Sequence, residues 1–290
     1  MQDEIRPEPY CGEIILEDSD FLRRLPILLD PRQRLIFEAL VHISDCIAAS
    51  FFTMHQTATL AARMEGALPT LHRAQISNAA WSIIDDFYAI KKLIELINQE
   101  TIGPETAKLL GYLEPSAKIR NGMDHLDTSI GRNSPGNLLK SKGSRRAVFG
   151  SVSFFHIDSS DLDNNDIKLR WISISAGPLG GKNKFPFTFP VGEKLAAPID
   201  RFQLSAFNYD VDISNCIALY RDWLRITSKM AEAEIRLMLE EKHPNDVDRL
   251  INEIAPSNVI HVVKFDYKGP GATSDMEKAE PPGPAPSKSS

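Results

Sequence analysis

The chain is poor in cysteine, poor in long apolar runs and short of positive charge, and each lack narrows what it can be. Its three cysteines, Cys11, Cys46 and Cys216, stand far apart and form no CxxC pair, so buried or idle thiols in a reducing cytoplasm are the expectation. The most apolar stretch, LIFEALVHISDCIAASFF, is broken by glutamate, histidine and aspartate. A bilayer span takes roughly 18 or more nearly uninterrupted apolar residues, so none is expected. The opening MQDEIRPEPYCGEIILEDSD is acidic, has two prolines, and offers neither a basic start nor an apolar run, which predicts no signal peptide. With a formal net charge of −6 and a pI of about 5.7, the chain lacks the basic excess of a sequence-blind DNA coater. A small local basic site remains open.

Several chemistries are excluded by motifs that fail. GPLGGKN at 177–183 resembles a phosphate loop, but its glycines are too closely spaced and Asn183 follows Lys182, where a Ser or Thr would hold magnesium. It reads as a loop between strands. The run Asp158, Asp161, Asp163 and Asp166 has neither the mid-loop glycine nor the closing glutamate of a calcium loop, and reads as a solvated hairpin tip. His42, His55 and His72 are scattered, with no HExxH and no His/Cys cluster; on largely apolar helices such histidines are core or boundary residues. There is no GxSxG, so no nucleophile elbow is indicated. No metal and no cofactor are expected.

What is present is an ordinary globular composition, 42% hydrophobic and 25% charged, arranged as helices, then strands, then helices, then a tail. Asp30 offers a side-chain cap and Pro31 a first helical position, after which Leu35, Ile36, Leu40, Ile43 and Ile47 repeat at helical spacing. Pro69 opens a second helix whose Ile83, Phe87, Ile90, Ile94 and Ile97 make one stripe. Pro104 starts a shorter helix stopping near Gly111, and Pro115 starts a fourth. From Arg145 the period changes to that of strands: AVFGSVSFFHI and IKLRWISIS predict a hairpin, and FQLSAFNYDVD a third strand. A helix over 213–242 follows, then a short helix NDVDRLINEIA and a strand-like NVIHVVKFD. The expected architecture is α+β, mainly α: an irregular segment over 1–30, a helical bundle over 31–144, a β-rich insertion over 145–212, returning helices and a final strand over 213–267, and a disordered tail over 268–290.

The stretch EPSAKIRNGMDHLD, 114–127, gathers an arginine, an asparagine and a histidine. The Arg120 guanidinium fork matches two phosphate oxygens, and His125 carries the side chain best suited to proton transfer near neutral pH. Asn121 stands one helical turn before His125 and so shares its face, where it could orient the imidazole; Arg120 is offset from His125 by roughly 140°. These groups suit cleavage of RNA without metal: one removes the 2′-hydroxyl proton, another protonates the leaving oxygen, and a cation holds the crowded phosphorane.

Arg120, the Asn121 directly after it and His125 together resemble the motif of the HEPN superfamily, small α-helical bundles, many of them metal-independent endoribonucleases of toxin–antitoxin, abortive-infection and CRISPR-associated defence systems. The resemblance covers mainly the helices of 31–130, with the helix after 213 a further candidate for it, and says nothing about the strands between. It implies that Arg120 and His125, assisted by Asn121, cut RNA in a composite site formed across a homodimer, with an antitoxin or regulatory protein as a further partner and no role for a membrane. Lys140, Lys142, Arg145 and Arg146 in KSKGSRR would steer the RNA phosphates, or form a solvated loop. Asp86, beside Asp85, could hold Arg120, or either could face water. The alternative to catalysis is a non-catalytic helical interaction or RNA-binding protein, in which Arg120 pairs with Asp124 one turn on while His125 caps or packs. A second arginine–histidine spacing, Arg236 to His243, runs off a helix end before Pro244 and has Leu237 where the asparagine would stand; the helix dipole accounts for its histidine.

Overall fold

The computed structural model describes residues 14–25, 29–64, 68–97, 103–127, 149–157, 169–175, 199–207 and 209–252. Contacts divide the chain into Met1–Ala255 and Pro256–Ser290; all described residues lie in the first unit. Among the described residues the chain is mainly helical, with one small antiparallel sheet. The elements are a 3-10 turn Phe21–Arg24, then α1 (Pro31–Arg63), α2 (Thr70–Ile97), α3 (Pro104–Asp124), β1 (Ser151–Ile157), β2 (Leu169–Ser175), β3 (Ile199–Ala206), β4 (Tyr209–Asp212), α4 (Ile213–Lys242) and α5 (Val247–Asn252).

The first helix begins as its sequence requires. The Asp30 carboxylate accepts from the backbone N–H groups of Arg32 and Gln33, with Pro31 in the first turn. Ile36, Leu40, Ser44, Ile47, Phe51 and Met54 then face inward, while Leu35 is 67% exposed and does not share the stripe expected of it. By length and a mean hydropathy of 1.7, α1 alone among the described helices is apolar enough to cross a membrane, where the sequence suggested none; its buried stripe packs in the common core with α2. In α2 the predicted stripe is fully buried at Ile83, Phe87, Ile90 and Ile94.

One correction concerns Pro115. The sequence suggested two helices meeting between Gly111 and Pro115, and the structure has one, with Pro115 inside it. A proline inside a helix costs about 3 kcal/mol. Leu109, Leu113 and Ile119, on both sides of it, are each buried, and burying a large apolar side chain contributes roughly 1.5–3 kcal/mol. Only a continuous helix brings all of them to the core, so packing outweighs the missing hydrogen bond.

The sheet has the order β2-β1-β3-β4, antiparallel throughout, and β1 and β2 pair as the expected hairpin. Its apolar face carries Val152, Phe154, Phe202, Leu204, Ala206 and Val211 into the core shared with the helices; the Phe202 ring meets Phe51 of α1 edge-on at 5.3 Å. FQLSAFNYDVD, expected as one strand, is the end of β3 and all of β4, with the chain reversing after Phe207. Phe207 has φ +46°, a left-handed conformation that costs a bulky residue about 1–2 kcal/mol. What offsets it is the position of its ring, described below.

The last long helix matches its predicted limits, ending before Pro244. Tyr220 of α4 is fully buried; its hydroxyl donates to the Leu40 carbonyl and lies 3.1 Å from Ser44 Oγ, so the phenol is satisfied in the core and burial pushes its pKa far up. Trp223 Nε1 donates to Thr106 Oγ1, and the Cys216 thiol to the Tyr112 carbonyl, tying α4 to α3. The GPLGGKN loop, the acidic run Asp158 to Asp166, the strand-like NVIHVVKFD, Cys11 and the C-terminal tail lie outside the described residues.

Candidate functional site

The motif residues occupy the last turn of α3 and its cap. Arg120 bridges two elements: its Nε donates to Asp85 Oδ1 of α2 at 2.8 Å, and its Nη1 bonds Asp124 one turn on in α3. Asp85 makes the tertiary contact, not the neighbouring Asp86 that the sequence pointed to. The reason is angular: Ile83, Ile84 and Phe87 face the core, and Asp85 lies farthest round towards α3 and solvent. Asn121 and His125 are both exposed. The His125 backbone N–H donates to the Asn121 carbonyl at 3.2 Å, so His125 closes the helix through its main chain while the imidazole stays outside. Arg120 and Asp124 form one stripe of α3 and Asn121 and His125 the next, about 100° round.

Gly122 lies a further 100° or so round the helix, against the β3–β4 turn. A Cβ at this position would lie 2.8 Å from Phe207 Cγ and 2.9 Å from Cδ2, closer than side chains tolerate, so glycine is required here despite its low helix propensity. The Phe207 ring meets Trp81 of α2 edge-on, centroids 6.4 Å apart, and Trp81 Nε1 donates to the Phe149 carbonyl at 3.1 Å. The end of α3, the β3–β4 turn and the outer side of α2 are thus locked together beside the motif. In the sequence Gly122 is only a poor helix former; the close approach of Phe207 exists only in three dimensions.

The electrostatics here are acidic. Burial raises the Asp85 carboxyl, with Arg120 pulling it back and Asp124 adding to the rise. Asp86 is raised to about 6, chiefly by burial and then by the charge of Asp85, while His42 opposes the shift. On the α1 side, Cys46 Sγ lies 3.7 Å from His42 Nε2, and burial followed by the charges of Asp86 and Asp45 raises the thiol, which keeps it protonated and a poor nucleophile. Among the described residues no group of histidine, cysteine, aspartate and glutamate side chains could hold a metal. His55 lies beside Phe51 and Phe202 with its pKa lowered by burial, and His72 pairs with Gln75, the core and boundary roles expected of them.

A second feature escaped the sequence reading. Thr70, Arg73, Ala74, Ser77, Asn78 and Trp81 of α2, with Ser175 at the end of β2, line an open cleft of about 560 Å³. Asp85 falls one turn beyond Trp81 along α2; neither it nor Arg120 lines the cleft. The outward polar spacing from Thr70 to Asp85 was readable in the sequence, but the strand that closes the cleft was not. The basic run holding Lys140, Lys142, Arg145 and Arg146 lies outside the described residues.

No family model, curated protein or solved structure matches this chain.

Proposed function

We propose that the protein is a metal-independent endoribonuclease of the HEPN kind, acting as a homodimer in a toxin or phage-defence setting. The observation that carries the reading is the placement of Arg120, Asn121 and His125 on one exposed helix end, with Phe207 packed against the neighbouring Gly122 and Asp85 holding Arg120. In this reading the RNA phosphate takes the place of Asp124 on the Arg120 fork, with Asp85 keeping the guanidinium oriented. A base, His125 of one copy, removes the 2′-hydroxyl proton. The 2′-oxygen attacks phosphorus, Arg120 neutralises the phosphorane, and the 5′-oxygen leaves with a proton from the second copy's imidazolium. Because Arg120 and His125 occupy neighbouring stripes of α3, two helix ends facing each other bring the cation of one to the imidazole of the other. Asn121, sharing a stripe with His125, orients the ring.

One observation favours a second reading, a non-catalytic interaction or RNA-binding protein: both sides of the Arg120 fork already hold carboxylates, and His125 caps the helix. The deciding experiment incubates purified protein with mixed RNA in EDTA beside Arg120→Ala and His125→Ala. Cleavage by the parent protein, reduced about 100-fold or more in each variant, is expected. Equal cleavage by all three removes these residues from the mechanism, and cleavage by none supports the second reading.

A further inference from the structure

We infer that the cleft beside Trp81 is a binding site for an unpaired RNA nucleotide adjoining the one whose phosphate sits at Arg120; the inference rests on the ribonuclease reading for its substrate and extends it to a second site. The chemistry of the lining is that of a single-strand binder. Arg73 is exposed, with its Nη2 held by Thr70 Oγ1 at 3.0 Å, and among the described residues no carboxylate pairs with it. Its planar cation is therefore available to a phosphate. Trp81 lies two turns farther along the same face, its indole fixed by the N–H bond to the Phe149 carbonyl and by Phe207 against it. An aromatic ring immobilised in this way gives a base a surface to stack on at little entropic cost, and accepts any base because each has a π-face. Ala74 and Ser77 are small and leave the depth between these two anchors, while Asn78 supplies an amide to a base edge or a ribose and Ser175 closes the far side.

The position supports the same occupant. Asp85 is one turn beyond Trp81 and holds Arg120, and Phe207 touches both Trp81 and the Gly122 position two residues after Arg120. From Arg73 to Asp85 the helix rises about 18 Å, a distance that a few nucleotides of extended single strand cover. A duplex cannot present a free base face to Trp81, so the cleft selects unpaired RNA.

The test uses the full chain carrying His125→Ala, so that bound RNA is not consumed, and a short fluorescein-labelled single-stranded RNA read by anisotropy. Arg73→Gln and Trp81→Leu are each expected to weaken binding about tenfold, Trp81→Phe to retain most of it, and the same sequence as a duplex to bind poorly. Tryptophan emission falls on adding RNA to the parent and does not fall in Trp81→Phe. Arg73 is exposed, so its variant remains informative if Trp81→Leu fails to fold. Unchanged affinity in Arg73→Gln and in a folded Trp81 variant overturns the inference, as does absence of RNA binding by every form. The two readings fail separately. Arg120-dependent cleavage untouched by the cleft variants would remove the cleft and leave the nuclease. RNA held at Trp81 with no cleavage by any form would remove the nuclease and leave a nucleotide-binding cleft.

Discussion

Two stretches of this chain place an arginine a few residues before a histidine, and their wiring is nearly the same. Arg120 pairs with Asp124 one turn on and with Asp85 of another helix, and the backbone N–H of His125 caps α3. Arg236 pairs with Glu232 one turn back and with Asp248 at the start of α5, and the backbone N–H of His243 caps α4 on the Leu239 carbonyl. What differs is the ground beneath them. Leu237, directly after Arg236, is 66% exposed, and the Asp248 side chain is 88% exposed. Arg120 instead reaches Asp85, whose side chain is 55% exposed, and the residue two positions on is a glycine pressed against an aromatic turn. An arginine–histidine spacing therefore builds a helix end, and only the packing around it can hold a guanidinium in place against a developing charge.

The largest contrast is catalytic. Beside the loss expected for Arg120→Ala, the variants Arg236→Ala and His243→Ala are expected to cleave RNA at the parent rate in EDTA; a comparable loss in either would mean that spacing alone, and not setting, makes the site. Next is Gly122→Ala. Helix propensity alone would favour alanine by up to about 1 kcal/mol, but the added carbon meets the Phe207 ring near its attachment, and such overpacking costs about 1–3 kcal/mol. A net fall in the urea midpoint is expected, partly restored by Phe207→Ala in the same chain; a rise would show that the turn yields freely.

Smaller still is the effect of pH on the acidic side of the first site. The folded chain keeps a proton on Asp86 up to about pH 6, against an ordinary value of 3.8, so it binds a proton that the unfolded chain releases between those limits. Stability then falls as pH rises from about 4 to about 6 and stays lower above. Linkage over that window would amount to about 3 kcal/mol; solvent screening at this half-buried carboxyl, with Asp85 and His42 beside it, brings the expected change down to about 1 kcal/mol. Asp86→Asn is expected to flatten that part of the profile and to be the more stable protein at neutral pH; an unaltered profile assigns the titration elsewhere. Smallest is the stability contributed by the ion pairs themselves. Removing Arg120 is expected to cost about 0.5–1 kcal/mol, because it joins two long helices, and removing Arg236 only a few tenths, a difference that paired denaturation curves resolve.

Much of the fold could be read from local pattern. Asp30 with Pro31, the stripe from Ile83 to Ile94 and the stop before Pro244 each act over a few residues, so the sequence displays them directly. The misreadings share a cause. Pro115 looked like a helix start because its local cost is evident, whereas the burial of Leu109, Leu113 and Ile119 against distant helices is not. The break at Phe207 was hidden because phenylalanine favours strands, and what stabilises its left-handed conformation comes from Gly122 and Trp81, far away in sequence. Asp85 and Asp86 are adjacent and chemically alike, so only the rotation of α2 in the core distinguishes the one that reaches Arg120.

The sequence by itself determined which chemical groups are available and which helix end displays them: a fixed cation, an amide and an imidazole within one stretch, since residues this close cannot be separated by folding. Tertiary structure decided what those groups are joined to. It gave Arg120 its second carboxylate, made Gly122 obligatory, and opened a cleft between α2 and the end of β2, because each of these depends on surfaces that meet only when elements far apart in the chain bury their apolar faces together.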